Sequence, residues 1–147
     1  MPKSIESFSG EYSFLSNFHP CEVEYEDVIY PTVEHAYQAA KTLNLKDRRR
    51  IARALRPGIA KRIGRSVVLR DDWEEIKLDV MYELVFAKFA ESAGLQAKLF
   101  DTADVELIER NYWNDTFWGI CGGVGENHLG KILMRVRTEL LGELEEA

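Results

Sequence analysis

Two long segments of the sequence, residues 73–92 and 128–144, repeat their apolar residues at close to helical spacing. The first follows Asp71-Asp72 and ends before Gly94, and we expect it to be the longest helix. The residues expected to face a core are Ile76, Val80, Leu84, Phe86, Ala87, Ile132, Leu133, Val136, Leu140 and Leu144. A chain with two such segments must be built mainly from packed helices.

Shorter signals lie between and before these segments. Residues 22–30 alternate polar and apolar side chains around Glu26-Asp27, which predicts a hairpin. Further helices are expected at 33–43 after an N-cap at Thr32, from an N-cap at Asp47 to before Pro57, at 59–64 and at 95–101. Residues 105–108 fit a strand or a helix, and 111–126 read as a loop. The predicted fold class is α+β, a mostly helical single domain over 1–147 with a small antiparallel β-sheet.

The length of 147 residues fits one domain. No apolar run approaches the ~20 residues of a membrane span, and residues 1–6 do not resemble a secretory signal, so we expect a cytoplasmic protein. We therefore interpret Cys21 and Cys121 as free thiols. The three histidines are scattered singly, so the sequence predicts no zinc site.

The net charge of -6 hides a basic segment. Residues 46–70 carry ten Lys or Arg and one acid, Asp47, whereas the rest of the chain is acidic. Such a segment is either a solvated surface, as we expect for Arg48, Arg49 and Arg50, or a field that attracts an anionic substrate such as a phosphate. The acidic remainder argues against sequence-independent binding of long duplex DNA.

The segment Thr32–Lys41 is the first candidate site. On a helix, Glu34, Tyr37, Gln38 and Lys41 share one face. An acid, a phenol, an amide and an amine at this spacing suit the lining of a pocket, but a solvated helix face would have the same pattern.

Three further segments each allow two interpretations. Residues 111–119 interleave aromatics with Asn114 and Asp115; the aromatics either stack on a planar base or sugar or fold onto the core. Residues 122–131 are glycine-rich and either offer N–H groups to a phosphate or form a plain turn; they lack the Ser or Thr of an ATPase loop. Residues 61–65, Lys-Arg-Ile-Gly-Arg, are a phosphate clamp or a solvated surface.

Taken together and in order, these segments resemble the NADAR (YbiA-like) N-glycosidase family over residues 8–137. The matching residues are Phe14-Leu-Ser-Asn-Phe-His-Pro20, Tyr30–Lys41, Lys61-Arg-x-Gly-Arg65, Arg70-x-Asp-Trp73, Met81 through Lys88-Phe89, Leu107-x-Glu109, Asp115-x-x-Trp-Gly119 and Asn127–Arg137. One departure is visible: Cys121 occupies a position where the family often has glycine.

The resemblance implies hydrolysis of the bond between an amino-bearing heterocycle and ribose, with no metal or organic cofactor. The implied substrate is a phosphorylated nucleoside-like molecule, first of all a ribosylamino-pyrimidine intermediate of riboflavin biosynthesis. The alternative is ADP-ribosylated guanine, in a nucleotide or nucleic acid. An alternative of another class is a non-catalytic ADP-ribose-binding module, and the net acidity argues against a DNA glycosylase.

The resemblance also implies roles for individual residues. Glu34 would be the central acid/base, Asp115 a second acid, and Lys41 a phosphate or sugar contact that could also form an iminium. The implied substrate-binding residues are Asn17, Phe18, Tyr37, Gln38, Arg62, Arg65, Trp73, Trp118, Gly119 and Asn127.

Overall fold

The computed structural model describes residues 3–147, of which helices hold about half. The α-helices are α1 Val33–Ala40, α2 Leu45–Ala52, α3 Pro57–Gly64, α4 Trp73–Ala90, α5 Ala93–Asp101 and α6 His128–Glu146, and Gly10–Leu15 form a 3-10 helix. The strands are β1 Ser4–Ile5, β2 Val23–Tyr25, β3 Val28–Tyr30, β4 Glu106–Leu107, β5 Arg110–Asn111 and β6 Ile120–Cys121. The predicted class, α+β and mostly helical, is confirmed.

The predicted hairpin is β2 and β3, which pair antiparallel with Val23 opposite Tyr30. Its turn residues Glu26 and Asp27 have φ of 45° and 71°, as the tight turn of a twisted hairpin requires. The other two pairs, β1 with β4 and β5 with β6, are parallel. The sequence did not indicate them because each strand has two residues, too few for an alternating pattern to appear.

Some predicted helix limits were wrong. Helix α1 ends at Ala40 instead of 43, and α2 is capped by Asn44, whose side chain accepts the N–H of Asp47 at 3.0 Å. Asp47 therefore lies in the first turn and is not the cap. Pro57 is the first residue of α3, a position where its missing N–H costs nothing.

The other differences concern the two long helices. Gly94 does not terminate α4 but lies within α5, which the side chain of Ser92 caps. With 19 residues, α6 is longer than α4 with 18. Residues 105–108 contain the strand β4, and Leu144, predicted to face the core, is 58% exposed in the last turn of α6.

The chain divides into two compact units. The central unit is Asn17–Lys88, and the terminal unit combines the residues up to Ser16 with Phe89–Ala147. Within the central unit, α1 packs against α2, α3 and the hairpin, and each of its eight residues is buried. A helix without a solvent face must satisfy its polar side chains internally.

The terminal unit has its core along α6. The buried residues Ile132, Leu133, Val136 and Leu140 form the predicted stripe. Buried Arg137 donates through Nη1 to Thr102 Oγ1 and to the Val105 carbonyl, both at 2.9 Å, which fixes α6 to the segment after α5. In the part of the chain that the structure describes, no helix has the length and apolar character needed to cross a membrane.

Candidate active site

Helix α1 begins where Thr32 meets His35. The Thr32 hydroxyl accepts the backbone N–H of His35 at 3.1 Å and bonds to Nδ1 of the ring at 2.7 Å, while Nε2 lies 3.0 Å from the Ala54 carbonyl. Burial lowers the pKa of His35, which keeps the ring neutral, with Nε2–H donating to Ala54. His35 thus fixes the start of the helix, and these hydrogen bonds explain its presence without a catalytic role.

The polar stripe of α1 is not a solvated face. Glu34 is 7% exposed and Gln38 is 3% exposed, so that alternative interpretation is wrong. The amide Nε2 of Gln38 donates to Oε1 of Glu34 at 3.1 Å. A buried carboxylate held by a neighbouring side chain has a fixed orientation, which is what acid/base catalysis requires of it.

The other amide atom of Gln38 is a buried acceptor. Within residues 3–147, its Oε1 has no hydrogen-bond partner. It lies against Gly64, where a Cβ would overlap this oxygen and come within 2.8 Å of Cδ. An unsatisfied buried acceptor costs about 1–3 kcal/mol, so this packing against Gly64 is destabilising and holds the amide in one orientation.

We expect Gly64→Ala to reduce kcat/KM about tenfold or more, because its Cβ would push the Gln38 amide away from Glu34. The matched control is Gly58→Ala on the same helix, where an added Cβ meets nothing within 4 Å. Steady-state kinetics and thermal unfolding of both variants check this. Equal activities of the two variants would show that the Gln38 position does not matter.

Tyr37 and Trp73 form an aromatic wall in the central unit. Their ring centroids lie 5.2 Å apart at an angle of 56°, and both side chains are buried. Trp73 begins α4, so this contact joins the first turn of α4 to the middle of α1. The predicted residues Tyr37 and Trp73 are thus brought together.

Lys41, at the C-terminal cap of α1, lies in a field of mixed sign. Burial lowers its pKa, the charge of Glu34 opposes that shift, and the cations Lys61, Arg65 and Lys77 lower the pKa further. Its ammonium nitrogen is 5.7 Å from the centroid of the Tyr37 ring. A cluster of cations beside a buried carboxylate favours an anionic group on a ligand.

The cationic residues of the basic segment 46–70 differ in their exposure to solvent. Arg49, Arg50, Arg62 and Arg65 are exposed, whereas Arg48 is 4% exposed, so the prediction of a solvated Arg48 was wrong. Arg48 donates to the Thr42 carbonyl at 2.8 Å and to Glu26 Oε1 at 2.9 Å. It therefore fixes the hairpin to the end of α1.

Asn17 meets α1 through its backbone. Its carbonyl accepts the N–H of Glu34 at 3.1 Å, and its side chain lies 3.4 Å from the sulfur of Met81. The neighbouring Phe18 is 44% exposed. The segment Asn17-Phe18 is thus next to Glu34, as a substrate-contacting segment should be.

In the terminal unit, the aromatic-acid loop is organised by buried Asn111. The Oδ1 atom of Asn111 accepts the N–H groups of Trp113 at 3.2 Å and Asp115 at 3.0 Å, and its Nδ2 donates to the Asp115 carbonyl at 2.8 Å. Asp115 Oδ1 in turn accepts the N–H groups of Phe117 at 3.1 Å and Trp118 at 2.9 Å. Oδ1 of Asp115, the predicted second acid, thus stabilises the conformation of its own loop.

The same loop closes over the start of α6. The carbonyls of Phe117 and Trp118 accept the N–H groups of His128 at 3.2 Å and Leu129 at 3.0 Å. Phe117 and Trp118 are half-buried, and Trp113 is 58% exposed. Since these helix amides already have partners, the glycine-rich segment is better explained as a turn than as a phosphate-binding loop.

Asn127 has both ends of its amide engaged. It accepts the N–H of Glu109 at 2.9 Å and donates to the Leu107 carbonyl at 3.0 Å, and its φ of 53° suits asparagine. Gly119 is buried where a Cβ would overlap the Glu109 carboxylate. These contacts favour a positioning role for Asn127 and explain why residue 119 is glycine.

Sequence reasoning assigned no role to Glu109 or Asn111, and it named Lys61 and Gly64 only as part of the segment 61–65. Lys61, Gly64 and Glu109 stood in the matching motifs, so a signal existed for them. Among residues 3–147, no group of three or more His, Cys, Asp or Glu side chains is arranged to hold a metal ion. Cys21 and Cys121 are free thiols, each partly exposed.

Comparison with known proteins identifies the family. The model of the NADAR domain family matches residues 6–141. The chain is 41% identical over 137 residues to N-glycosidase YbiA of Escherichia coli strain K12, covering 91% of this chain and 85% of that relative. It is 39% identical over 132 residues to Riboflavin biosynthesis protein VVA0006 of Vibrio vulnificus, covering 88% of this chain and 36% of that longer relative.

A solved structure supports the same family assignment. The NMR structure of the E. coli protein YbiA is similar to this chain with a TM-score of 0.87 and 38% sequence identity, covering 100% of this chain and 90% of that one. With a family model and curated relatives matching over most of its length, the chain belongs to the NADAR domain family.

Proposed function

We propose that this protein is an N-glycosidase that hydrolyses the bond between an amino-bearing heterocycle and ribose in a phosphorylated substrate. The observation that carries the proposal is the buried Glu34 carboxylate, held by Gln38 on a helix without a solvated residue. Relatives named N-glycosidase and riboflavin biosynthesis protein support this class of reaction and substrate.

The chemistry requires charge stabilisation and a proton. As the C–N bond breaks, positive charge develops on the sugar, and water supplies the oxygen of the new C–O bond. A negative carboxylate next to the sugar lowers the free energy of that transition state. Glu34 serves this role. It also accepts the proton that the attacking water releases and passes it to the leaving nitrogen.

The residues around Glu34 bind different parts of the substrate. Gln38 orients the Glu34 carboxylate through Nε2, and the rings of Tyr37 and Trp73 form an apolar wall. Asn17 and Phe18 complete the surface next to Glu34. Lys41, whose pKa is lowered by burial, contacts the phosphate or the sugar.

Cations around Lys41 recognise the phosphate. Lys61 and Arg65 are close enough to lower the pKa of Lys41, and Arg62 is exposed on the same helix α3. This arrangement fits a ribosylamino-pyrimidine phosphate. Two relatives, from Vibrio vulnificus and Zea mays, are named riboflavin biosynthesis proteins.

The predicted residues of the terminal unit are part of the same proposal. Trp118 and Gly119 are carried over as substrate-binding residues and Asp115 as a second acid, as the resemblance implied, while Asn127 fixes the backbone at Glu109. That residues 1–147 form one catalytic domain is supported by a family model that runs through both units. We place the enzyme in the cytoplasm, as the sequence predicts.

We expect Arg65→Gln to raise KM for the phosphorylated substrate about 10–100-fold and leave kcat nearly unchanged, because a charge-assisted hydrogen bond contributes about 1.5–3 kcal/mol. Its matched control is Arg50→Gln, an exposed cation of α2. Steady-state kinetics with phosphorylated and dephosphorylated substrate provide the measurement. A KM increase of the same size for both substrates would rule out phosphate recognition by Arg65.

The substrate class is tested by direct comparison. The wild-type enzyme is given a phosphorylated ribosylamino-pyrimidine or a guanine nucleotide that carries ADP-ribose, and kcat/KM is measured for each. The proposal predicts the larger value for the pyrimidine. A larger value for the ADP-ribosylated guanine would make the protein a demodifying enzyme, and binding of ADP-ribose without any product would make it a binding module.

A further inference from the structure

The connection between α3 and α4, residues 65–72 of the central unit, contains neither helix nor strand. Two of its apolar residues, Val68 and Leu69, are 81% and 51% exposed. A connection with so little apolar burial depends on polar contacts for a fixed conformation. The polar contacts near its end come from Arg70.

The backbone of Arg70 joins two residues of the proposed site. Its N–H donates to the Lys41 carbonyl at 2.7 Å, and its carbonyl accepts the N–H of Trp73 at 3.2 Å. Lys41 is the C-terminal cap of α1, where carbonyl groups have no partner within the helix. The end of α1 and the start of α4 are therefore linked through one residue.

The side chain of Arg70 fixes the turn that makes these backbone bonds. Its Nε donates to Asp72 Oδ1 at 2.6 Å, and its Nη2 donates to Asp72 Oδ2 at 3.3 Å. This planar fork on two oxygens restricts the orientation of both side chains. The hydrogen bond from Arg70 lowers the pKa of Asp72, which keeps the carboxylate charged near neutral pH.

Asp72 transmits this restraint to α4. Its carbonyl accepts the N–H groups of Glu75 at 3.0 Å and Ile76 at 3.1 Å, which form the first turn of the helix. A displacement of Asp72 would therefore move Trp73, whose ring centroid lies 5.2 Å from that of Tyr37. The aromatic wall thus depends on the turn that the arginine holds.

Stability alone does not explain an arginine at this position. The Arg70 side chain is 15% exposed, and its Nη1 is buried without a hydrogen-bond partner within residues 3–147. A buried donor without a partner destabilises the folded state. The feature that arginine supplies here is the fixed geometry of the fork, which a lysine cannot reproduce.

We infer that Arg70 is a positioning residue of the proposed site and that its pairing with Asp72 sets the placement of Lys41 and Trp73. The inference rests on the proposed function and deepens it, because it names the contact that aligns the amine of α1 with the aromatic wall. Arg70 acts through these two residues and not by touching the substrate.

The test compares Asp72→Asn with Asp71→Asn, neighbouring substitutions that keep shape and remove one charge. We expect Asp72→Asn to lower kcat/KM at least about tenfold, because its amide NH2 cannot accept from the guanidinium and a displacement of about 1 Å can cost 10²-fold. Asp71 is exposed, so Asp71→Asn should stay within about twofold of wild type. Near-normal activity of Asp72→Asn, or equal losses in both variants, would overturn the inference.

Arg70→Lys tests the same contact from its other side. Lysine keeps the charge and the backbone N–H, but it has one ammonium group in place of the fork. We expect a loss of at least about tenfold, and this variant replaces Asp72→Asn if that protein does not fold. Wild-type activity of a folded Arg70→Lys protein would show that the bidentate pair is not needed.

Double variants separate positioning from a general loss of stability. If the pair acts partly through Lys41, Asp72→Asn should lower kcat/KM by a factor at least about threefold smaller in a Lys41→Met background than in wild type. Thermal unfolding confirms that each protein is folded at the assay temperature. The same factor in both backgrounds would indicate an effect unrelated to Lys41 and would count against the inference.

Calorimetric binding of ribose 5-phosphate distinguishes failure of this inference from failure of the proposed function. If the wild type binds the sugar phosphate but turns over no substrate, the proposed reaction fails, and the inference is judged by affinity. It then predicts binding weakened at least about tenfold by Asp72→Asn and unchanged by Asp71→Asn. Normal turnover and affinity of Asp72→Asn would overturn the inference alone, and a wild type that neither binds nor turns over would overturn both.

Discussion

Glu34→Gln is expected to lower kcat about 10²–10⁴-fold while leaving the fold and KM nearly unchanged. Glutamine has the same shape as glutamate and can keep the contact with Gln38 Nε2 through its amide oxygen. It can neither stabilise a developing positive charge nor exchange a proton near neutral pH. Single-turnover release of the free heterocycle measures the loss without a contribution from product release.

Glu75→Gln is the matched control for this experiment. Glu75 lies in the first turn of α4, as Glu34 lies in the first turn of α1, but its side chain is exposed. Its replacement removes a carboxylate from an equivalent position relative to a helix dipole. Near-normal turnover by Glu34→Gln would remove Glu34 from the mechanism, and equal losses in both variants would point to a general charge effect.

Lys88→Met is expected to abolish a rise in stability between about pH 8 and pH 10. Burial lowers the pKa of Lys88 to about 8, while the nearby Cys21 acts in the opposite direction. Between this value and the unfolded pKa of about 10.4, the unfolded chain holds a proton that the folded chain has lost. The free energy of unfolding therefore rises with pH in this window, by about 3 kcal/mol from this group, and falls again as the pH drops to 8.

Urea unfolding of wild type and variant at a series of pH values checks the linkage. The exposed Lys131 of α6 supplies the control, since Lys131→Met should leave the pH dependence of wild type in place. A Lys88→Met protein whose stability still follows the wild-type curve would mean that Lys88 titrates as an ordinary lysine.

Much of the fold could be predicted from local sequence signals. The hairpin turn at Glu26-Asp27, the Thr32 cap and the apolar stripe of α6 depend on residues a few positions apart, and each was located. A local pattern does not decide which of two nearby residues caps a helix. Asn44 caps α2 because its side chain reaches the N–H of Asp47, whereas Asp47 itself is inside the helix.

The burial of α1 could not be read from its pattern. A stripe of Glu34, Gln38 and Lys41 has the same spacing on a solvated helix as in a pocket, and only the packing of α2, α3 and the hairpin decides between them. The contact of Gln38 with Gly64 is likewise invisible in sequence, because the two residues lie on different helices.

In the terminal unit, motif matching identified a residue of the family pattern but not its contacts. The match at Leu107-x-Glu109 marked Glu109 as part of a family pattern but gave it no role. In the structure, Asn111 donates to the Glu109 carboxylate, and Asp115 Oδ1 accepts backbone N–H groups of its own loop. These contacts form only in the folded chain, so a motif match does not contain them.

Mass spectrometry of the products shows whether the wild-type enzyme cleaves the bond between heterocycle and ribose. The purified protein is incubated with a phosphorylated ribosylamino-pyrimidine, and the free heterocycle and the ribose phosphate are quantified over time, with Glu34→Gln in parallel. We expect the two products in equal amounts with wild type and neither with the variant. An unchanged substrate, or a product that still contains the intact bond between heterocycle and ribose, would contradict it.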